Sequence, residues 1–95
     1  MATVRVRGFS VVRDALGAGT VELEVGPPET VRAALEALLA KHARLRDVLV
    51  DPETAALTPF LLVHNGESIS STLDRDRQVK TGDELVLIFP IGGGY

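Results

Sequence analysis

The sequence has 95 residues, of which 45% are hydrophobic and 24% charged, a balance typical of one globular domain and far from that of disordered chains. Its 13 acidic and 10 basic side chains leave a formal charge of −3, and the basic residues are scattered in pairs, which argues against a nucleic-acid partner. The chain lacks cysteine, so disulfides, thiolate metal sites and a cysteine nucleophile are excluded.

The N-terminal stretch MATVRVRGF alternates polar and apolar residues, so it is expected to be neither a signal peptide nor a membrane span, and the expected location is the cytoplasm. Residues 3–9 and 20–25 (TVRVRGF and TVELEV) have period two, the mark of strands with one buried face. Val4 and Val6 are expected to point inward with Val21, Leu23 and Val25. Arg5 and Arg7 then lie outward on one strand, Glu22 and Glu24 on the other, and antiparallel pairing brings opposite charges together. The connection between them, residues 10–19, exceeds a tight turn and is expected to be a mobile loop.

After Gly26, Pro27 and Pro28, Thr30 is placed to cap a helix, with Glu29 near the positive end of its dipole. Val31, Leu35, Leu38, Leu39, His42 and Leu45 trace one helical face, which predicts a helix running to about residue 44 or 45, with Arg32 and Glu36 on the other face. Residues 47–58 (DVLVDPETAALT) read as an irregular connection. Residues 60–64 form a short apolar strand, and Asn65 and Gly66 signal a two-residue hairpin turn leading into a strand at 67–70. Leu73 is expected to anchor the next connection, which closes at Thr81, Gly82 and Asp83. The segment ELVLIF, residues 84–89, is apolar on both faces after its first residue, as suits a central strand. It is expected to lie parallel to the first strand, and Pro90 ends it.

The chain closes on Ile91, Gly92, Gly93, Gly94 and Tyr95. Glycine gives a narrow cross-section and free φ and ψ, and residues 90–94, extended, span roughly 16 Å at about 3.3 Å per residue. Such a tail can enter another protein's pocket while the body docks outside. Phe89 at its base, with Pro90, Ile91 and Phe60, is the expected docking patch.

The helix that starts at Thr30, the segment Val63-His64-Asn65-Gly66, the run from Leu73 to Lys80 and the stretch GDELVLIFPIGGG together resemble the ubiquitin-like β-grasp proteins, and more closely the MoaD/ThiS family of sulfur carriers. The resemblance implies an α+β fold, a mixed sheet of four to five strands packed on one main helix. Residues 1–90 would form the β-grasp domain and 91–95 a flexible glycine-rich tail. It also implies that Gly94 is adenylated, with ATP used by a partner resembling the ubiquitin-activating enzymes, and then becomes a thiocarboxylate that donates sulfur. The implied acceptor is the large subunit of molybdopterin synthase or another sulfur acceptor, and the chain itself is a protein cosubstrate that binds no cofactor. Tyr95 departs from the family ending and would have to be removed, as a JAMM-type peptidase does for some relatives. Only one proline precedes the glycines, and Gly92 takes the place of the usual small residue.

Two other functions remain open on the residues: a ubiquitin-like modifier joined to lysines through Gly94, and a non-covalent β-grasp interaction module with an inert tail. His42 and His64 are far apart in sequence with no cysteine nearby, a poor metal signal, so no metal site is expected. Ser68, Ser70, Ser71 and Thr72 form a polar cluster with no companion base, and no catalytic arrangement stands out. Asp74, Arg75, Asp76 and Arg77 read as a solvated loop.

Overall fold

The first alternating segment forms strand β1 (Ala2–Gly8) and the second forms β2 (Thr20–Val25), paired antiparallel with Arg5 opposite Glu22 and Thr3 opposite Glu24. The computed structural model describes residues 1–51, 53–54, 60–70 and 73–89. Strand β3 (Leu61–His64) and strand β4 (Glu67–Ser70) form a second hairpin. Its turn residues Asn65 and Gly66 have φ of 51° and 84°, the doubly positive backbone that makes Asn-Gly the favoured pair at this turn.

Strand β5 (Glu84–Ile88) lies between β1, to which it is parallel, and β3, to which it is antiparallel. The sheet order is β2-β1-β5-β3-β4. A parallel pair needs a long crossover, and the helices of the chain supply it, covering one face of the sheet.

Helix α2 (Val31–Lys41) starts where the sequence indicates, with the Thr30 hydroxyl accepting from the Ala33 amide at 3.2 Å. The two amides before it are also satisfied: Val31 N–H donates to the Arg77 carbonyl and Arg32 N–H to the Arg75 carbonyl, both at 2.8 Å. The loop containing residues 75–79 therefore holds a helix start whose donors have no partner within the helix itself.

Four expectations require correction. Residues 10–19 are not merely a loop, because helix α1 (Val11–Leu16) buries Val12 and Leu16 and ends at Gly17, whose φ is 79°. The spacing of Val12 and Leu16 at i,i+4 before a glycine was the available signal. The long helix breaks at His42, and helix α3 (Ala43–Leu49) follows, taking in Asp47, Val48 and Leu49 that read as irregular connection. The break turns Leu45 and Leu49 into full burial, with α3 packed against α1. The Leu73 side chain does not anchor the connection, being 86% exposed, and the residue is held instead by its amide, which donates to the Ser70 hydroxyl at 2.9 Å. Phe60, expected to serve docking, is only 7% exposed and belongs to the core.

The core lies between the sheet's inner face, with Val4, Val6, Leu23, Val25, Leu62, Leu85 and Leu87, and the helical residues Val31, Leu35, Leu38, Leu45 and Leu49. No helix among the described residues is long and apolar enough to cross a membrane.

The close seat of α1 on β1 can be tested at Gly8. A Cβ built there meets Val12 Cγ1 at 2.5 Å and the Arg13 amide nitrogen at 3.2 Å, whereas at Gly26 it meets nothing within 4 Å. Gly8→Ala is expected to lose about 1–3 kcal/mol of stability by overpacking, and Gly26→Ala to stay within about 0.5 kcal/mol of the parent, both read by urea denaturation.

Candidate functional site

The residues that sequence reasoning puts at the chemical centre, Gly92, Gly93 and Gly94, lie outside the described residues together with Pro90, Ile91 and Tyr95, as do Ser71 and Thr72 of the polar cluster. What the structure describes is the root from which that segment continues. Strand β5 runs up the middle of the sheet, and Phe89, just past its end, is half-buried and packs against the core.

Strand alternation decides what surrounds this root. Leu85 and Leu87 are buried under the helices, so Glu84, Val86 and Ile88 occupy the outer face, which carries no helix among the described residues. On β3 the buried residues are Leu62 and His64, leaving Leu61 and Val63 outward. The register sets Ile88 opposite Leu61 and Val86 opposite Val63, with Arg7 on the other side of Val86. Leu61 is 54% exposed and Phe9, at the same end of the sheet, 45% exposed with the Arg7 guanidinium 5.6 Å from its ring centre. Four aliphatic side chains thus form an apolar band on the open face, reaching the point where the tail departs.

The expected docking residues Phe60 and Phe89 are each one position away from the residues that face outward there, Leu61 and Ile88. A shift of one residue reverses the face. Counting alternation outward from the buried Leu85 and Leu87 was the signal that would have selected Val86 and Ile88.

The charged rim of the band is lightly held. Arg7 approaches Glu84 at 3.7 Å with both side chains partly exposed, an arrangement worth little in water. Both groups remain able to exchange this contact for a partner's.

A second polar grouping was not visible in the sequence. His64 is buried on the inner face, 6% exposed. Arg77 Nε donates to its Nδ1 at 2.9 Å, so that nitrogen keeps its lone pair and Nε2 carries the hydrogen, donated to Asp83 Oδ2 at 2.8 Å. The same carboxylate oxygen accepts from the Lys80 amide at 2.8 Å, and Arg77 Nη2 reaches Glu67 Oε1 at 2.6 Å. Burial pushes the Asp83 carboxyl up, but hydrogen bonds from the Asn65 side chain, the His64 ring and the Lys80 amide outweigh it and hold it below its ordinary value.

Both ring nitrogens of His64 are engaged, so the grouping acts as a strut. It ties the β3-β4 hairpin to the loop that caps α2 and to the turn that starts β5. Arg77, expected in a solvated loop, is a central member. Among the described residues no group of three or more His, Cys, Asp or Glu is placed to hold a metal.

The architecture is that of ubiquitin-like β-grasp proteins, with a mixed five-stranded sheet in the α+β class. It matches the crystal structure of SAMP1 from Haloferax volcanii with a TM-score of 0.81 at 26% identity, over 98% of this chain and 100% of that one. It matches the solution structure of small archaeal modifier protein 1 from Methanosarcina acetivorans with a TM-score of 0.80, also at 26% identity, over 99% and 98%. A chain in the Amycolatopsis orientalis BexX/CysO complex superposes with a TM-score of 0.71 at 27% identity, over 96% and 99%. No protein of curated function matches the sequence. Residues 6–94 match the model of the ThiS family, and the chain belongs to that family of ubiquitin-like sulfur carriers and modifiers.

The strut makes a signed prediction. A carboxyl held below its ordinary value of 3.8 contributes stability above that pH and loses it as pH falls through the folded-state value. Asp83→Asn is expected to cost about 1–3 kcal/mol near neutral pH, the worth of hydrogen bonds to a charged group. The gap between variant and parent should narrow below pH 3.8, as followed by chemical denaturation across pH.

Proposed function

We propose that the chain is a sulfur carrier whose Gly94, freed of Tyr95, is the activated C-terminus. The observation that carries this reading is the extent of the family match, which runs through the three glycines, ends at Gly94 and stops short of Tyr95. The helix-free apolar band at the root of the tail supports it, since a carrier must present its body to one partner while its end is threaded into that partner's active site.

In this reading the Gly94 carboxylate attacks the α-phosphorus of ATP on an adenylating enzyme resembling the ubiquitin-activating enzymes, and pyrophosphate leaves. A sulfide-level nucleophile delivered by another protein attacks the carbonyl of the acyl adenylate and expels AMP, leaving a thiocarboxylate. The acceptor is the large subunit of molybdopterin synthase or another enzyme that takes sulfur, and a JAMM-type metallopeptidase is the proposed source of the Gly94 end. The chain's own residues position and present; the catalytic groups belong to the partners. Leu61, Val63, Val86 and Ile88 form the docking face.

A second reading is favoured by the likeness to small archaeal modifier protein 1: the same activated Gly94 joined to a lysine amine as an isopeptide. The two share the adenylation step and differ in the product. An isopeptide adduct survives denaturation, whereas a thiocarboxylate leaves the carrier free.

A chain ending at Gly94, incubated with ATP and the adenylating enzyme from its own cells, is expected to release pyrophosphate. The chain retaining Tyr95 should not, and equal reaction of both would contradict the proposal. Leu61→Asp in the Gly94-ended chain is expected to slow that reaction about tenfold or more, by removing an exposed apolar contact of the docking face beside the root of the tail. Its stability should remain within about 0.5 kcal/mol of the parent, because the residue is exposed.

A further inference from the structure

The two edges of the sheet are treated differently. Along β4 the chain covers its own edge: Ser70 N–H donates to the Asp74 carboxylate at 2.7 Å, Ser70 C=O accepts from the Asp74 amide at 3.2 Å, and Arg77 lies against Glu67. Among the described residues nothing comparable closes β2.

The hydrogen bonds of β1 show which groups on β2 are left over. Arg5 N–H donates to the Asp83 carbonyl, Thr3 C=O accepts from Gly82 N–H, and Thr3 N–H donates to the Thr81 hydroxyl, so the odd residues of β1 face β5. The even ones face β2, as Gly8 N–H to the Gly19 carbonyl confirms. Through the register, Val21, Leu23 and Val25 are the bonded partners, and the amides and carbonyls of Thr20, Glu22 and Glu24 point out along the free edge. The one contact made to this row among the described residues is a long one, Lys41 Nζ to the Glu22 carbonyl at 3.5 Å.

The space beside this edge is already open. A cleft of about 580 Å³ runs between β2 and α2, lined by Thr3, Glu22, Leu23, Glu24, Ala37 and Lys41. Its helical wall is the small side chain of Ala37, with Lys41 at the end of the helix. Glu22 and Glu24 are exposed on the outer face, and neither carboxylate has an ion pair among the described residues.

We propose that the free edge of β2 accepts an extended basic peptide segment of a partner as a sixth strand, hydrogen-bonded to the backbone of Glu22 and Glu24. Strand addition to an unpaired edge draws affinity from main-chain bonds and specificity from alternate side chains. Lysine or arginine at alternate positions lies beside Glu22 and Glu24, and the intervening small apolar side chains face Ala37. A second copy of this chain does not suit the edge, because pairing β2 with β2 sets glutamates against glutamates. This edge is two strands away from β5, so its occupant leaves the tail and the apolar band accessible.

The test is an amide NMR titration of the full chain with acetyl-Lys-Val-Lys-Val-Lys-Val-amide, against the same peptide with Glu for Lys. The expected result is shifts at Thr20, Glu22 and Glu24 with the basic peptide and none with the acidic one. Glu22→Lys combined with Glu24→Lys should weaken the basic peptide about tenfold, the combined worth of two exposed charge pairs. N-methylating one alternate set of peptide residues should abolish binding while methylating the other set is tolerated. The proposal is overturned by equal response to both peptides, by shifts centred on β4 or on Val63 and Val86, by no shifts, or by indifference to either methylation. Concentration-dependent edge shifts without peptide would assign the edge to a second copy instead.

Discussion

The parallel pairing of β1 with β5 is the constraint on which the rest of the molecule depends. Arg5 sits opposite Glu84 and Gly8 opposite Leu87, so the first and last strands occupy the middle of the sheet, and both hairpins must add at the flanks. Parallel neighbours end at the same side of a sheet. The exit of β5 therefore falls beside Phe9 and beside Leu61, the start of the antiparallel β3. The apolar band and the departure point of the tail coincide because the pairing makes them do so.

The pairing also has to be supported where the strands begin. Thr3 and Arg5 are bonded to Thr81, Gly82 and Asp83, and the Asp83 side chain passes the connection on to His64 and, through it, Arg77. Arg77 contributes its carbonyl to the first amide of α2. One partly buried chain of polar groups, with His64 at its buried centre, thus joins the turn before β5, the β3-β4 hairpin and the start of the main helix. Such a network rewards completeness, since an unpartnered buried member costs far more than an exposed one. A body braced in this way holds the start of β5 and the start of α2 in a fixed relation.

Much of this was legible in the sequence because the signals were local. The alternation of Val4, Val6, Leu23 and Val25, the Thr30 cap, and the Asn65-Gly66 turn each arise from a residue's own backbone preferences or from strict periodicity. Two kinds of feature were not. The break at His42 has neither proline nor glycine to announce it; it is set by the burial of Leu45 and Leu49 against α1, a tertiary matter. The strut of Asp83, His64 and Arg77 joins residues as many as 19 positions apart, and a histidine beside a turn gives no hint of which carboxylate it will meet. The outward-facing Leu61 and Ile88 each stand one position from the aromatics Phe60 and Phe89, and alternation along a strand reverses the face at every step.

Covalent use of Gly94 is tested by the intact mass of the protein recovered from its own cells. Molecules that have lost Tyr95 are expected, a fraction of them with one oxygen replaced by sulfur or with a lysine-linked partner attached. Tyr95 retained on every molecule, in cells that contain the adenylating enzyme and the peptidase, would contradict it and leave the β-grasp body as a non-covalent interaction module.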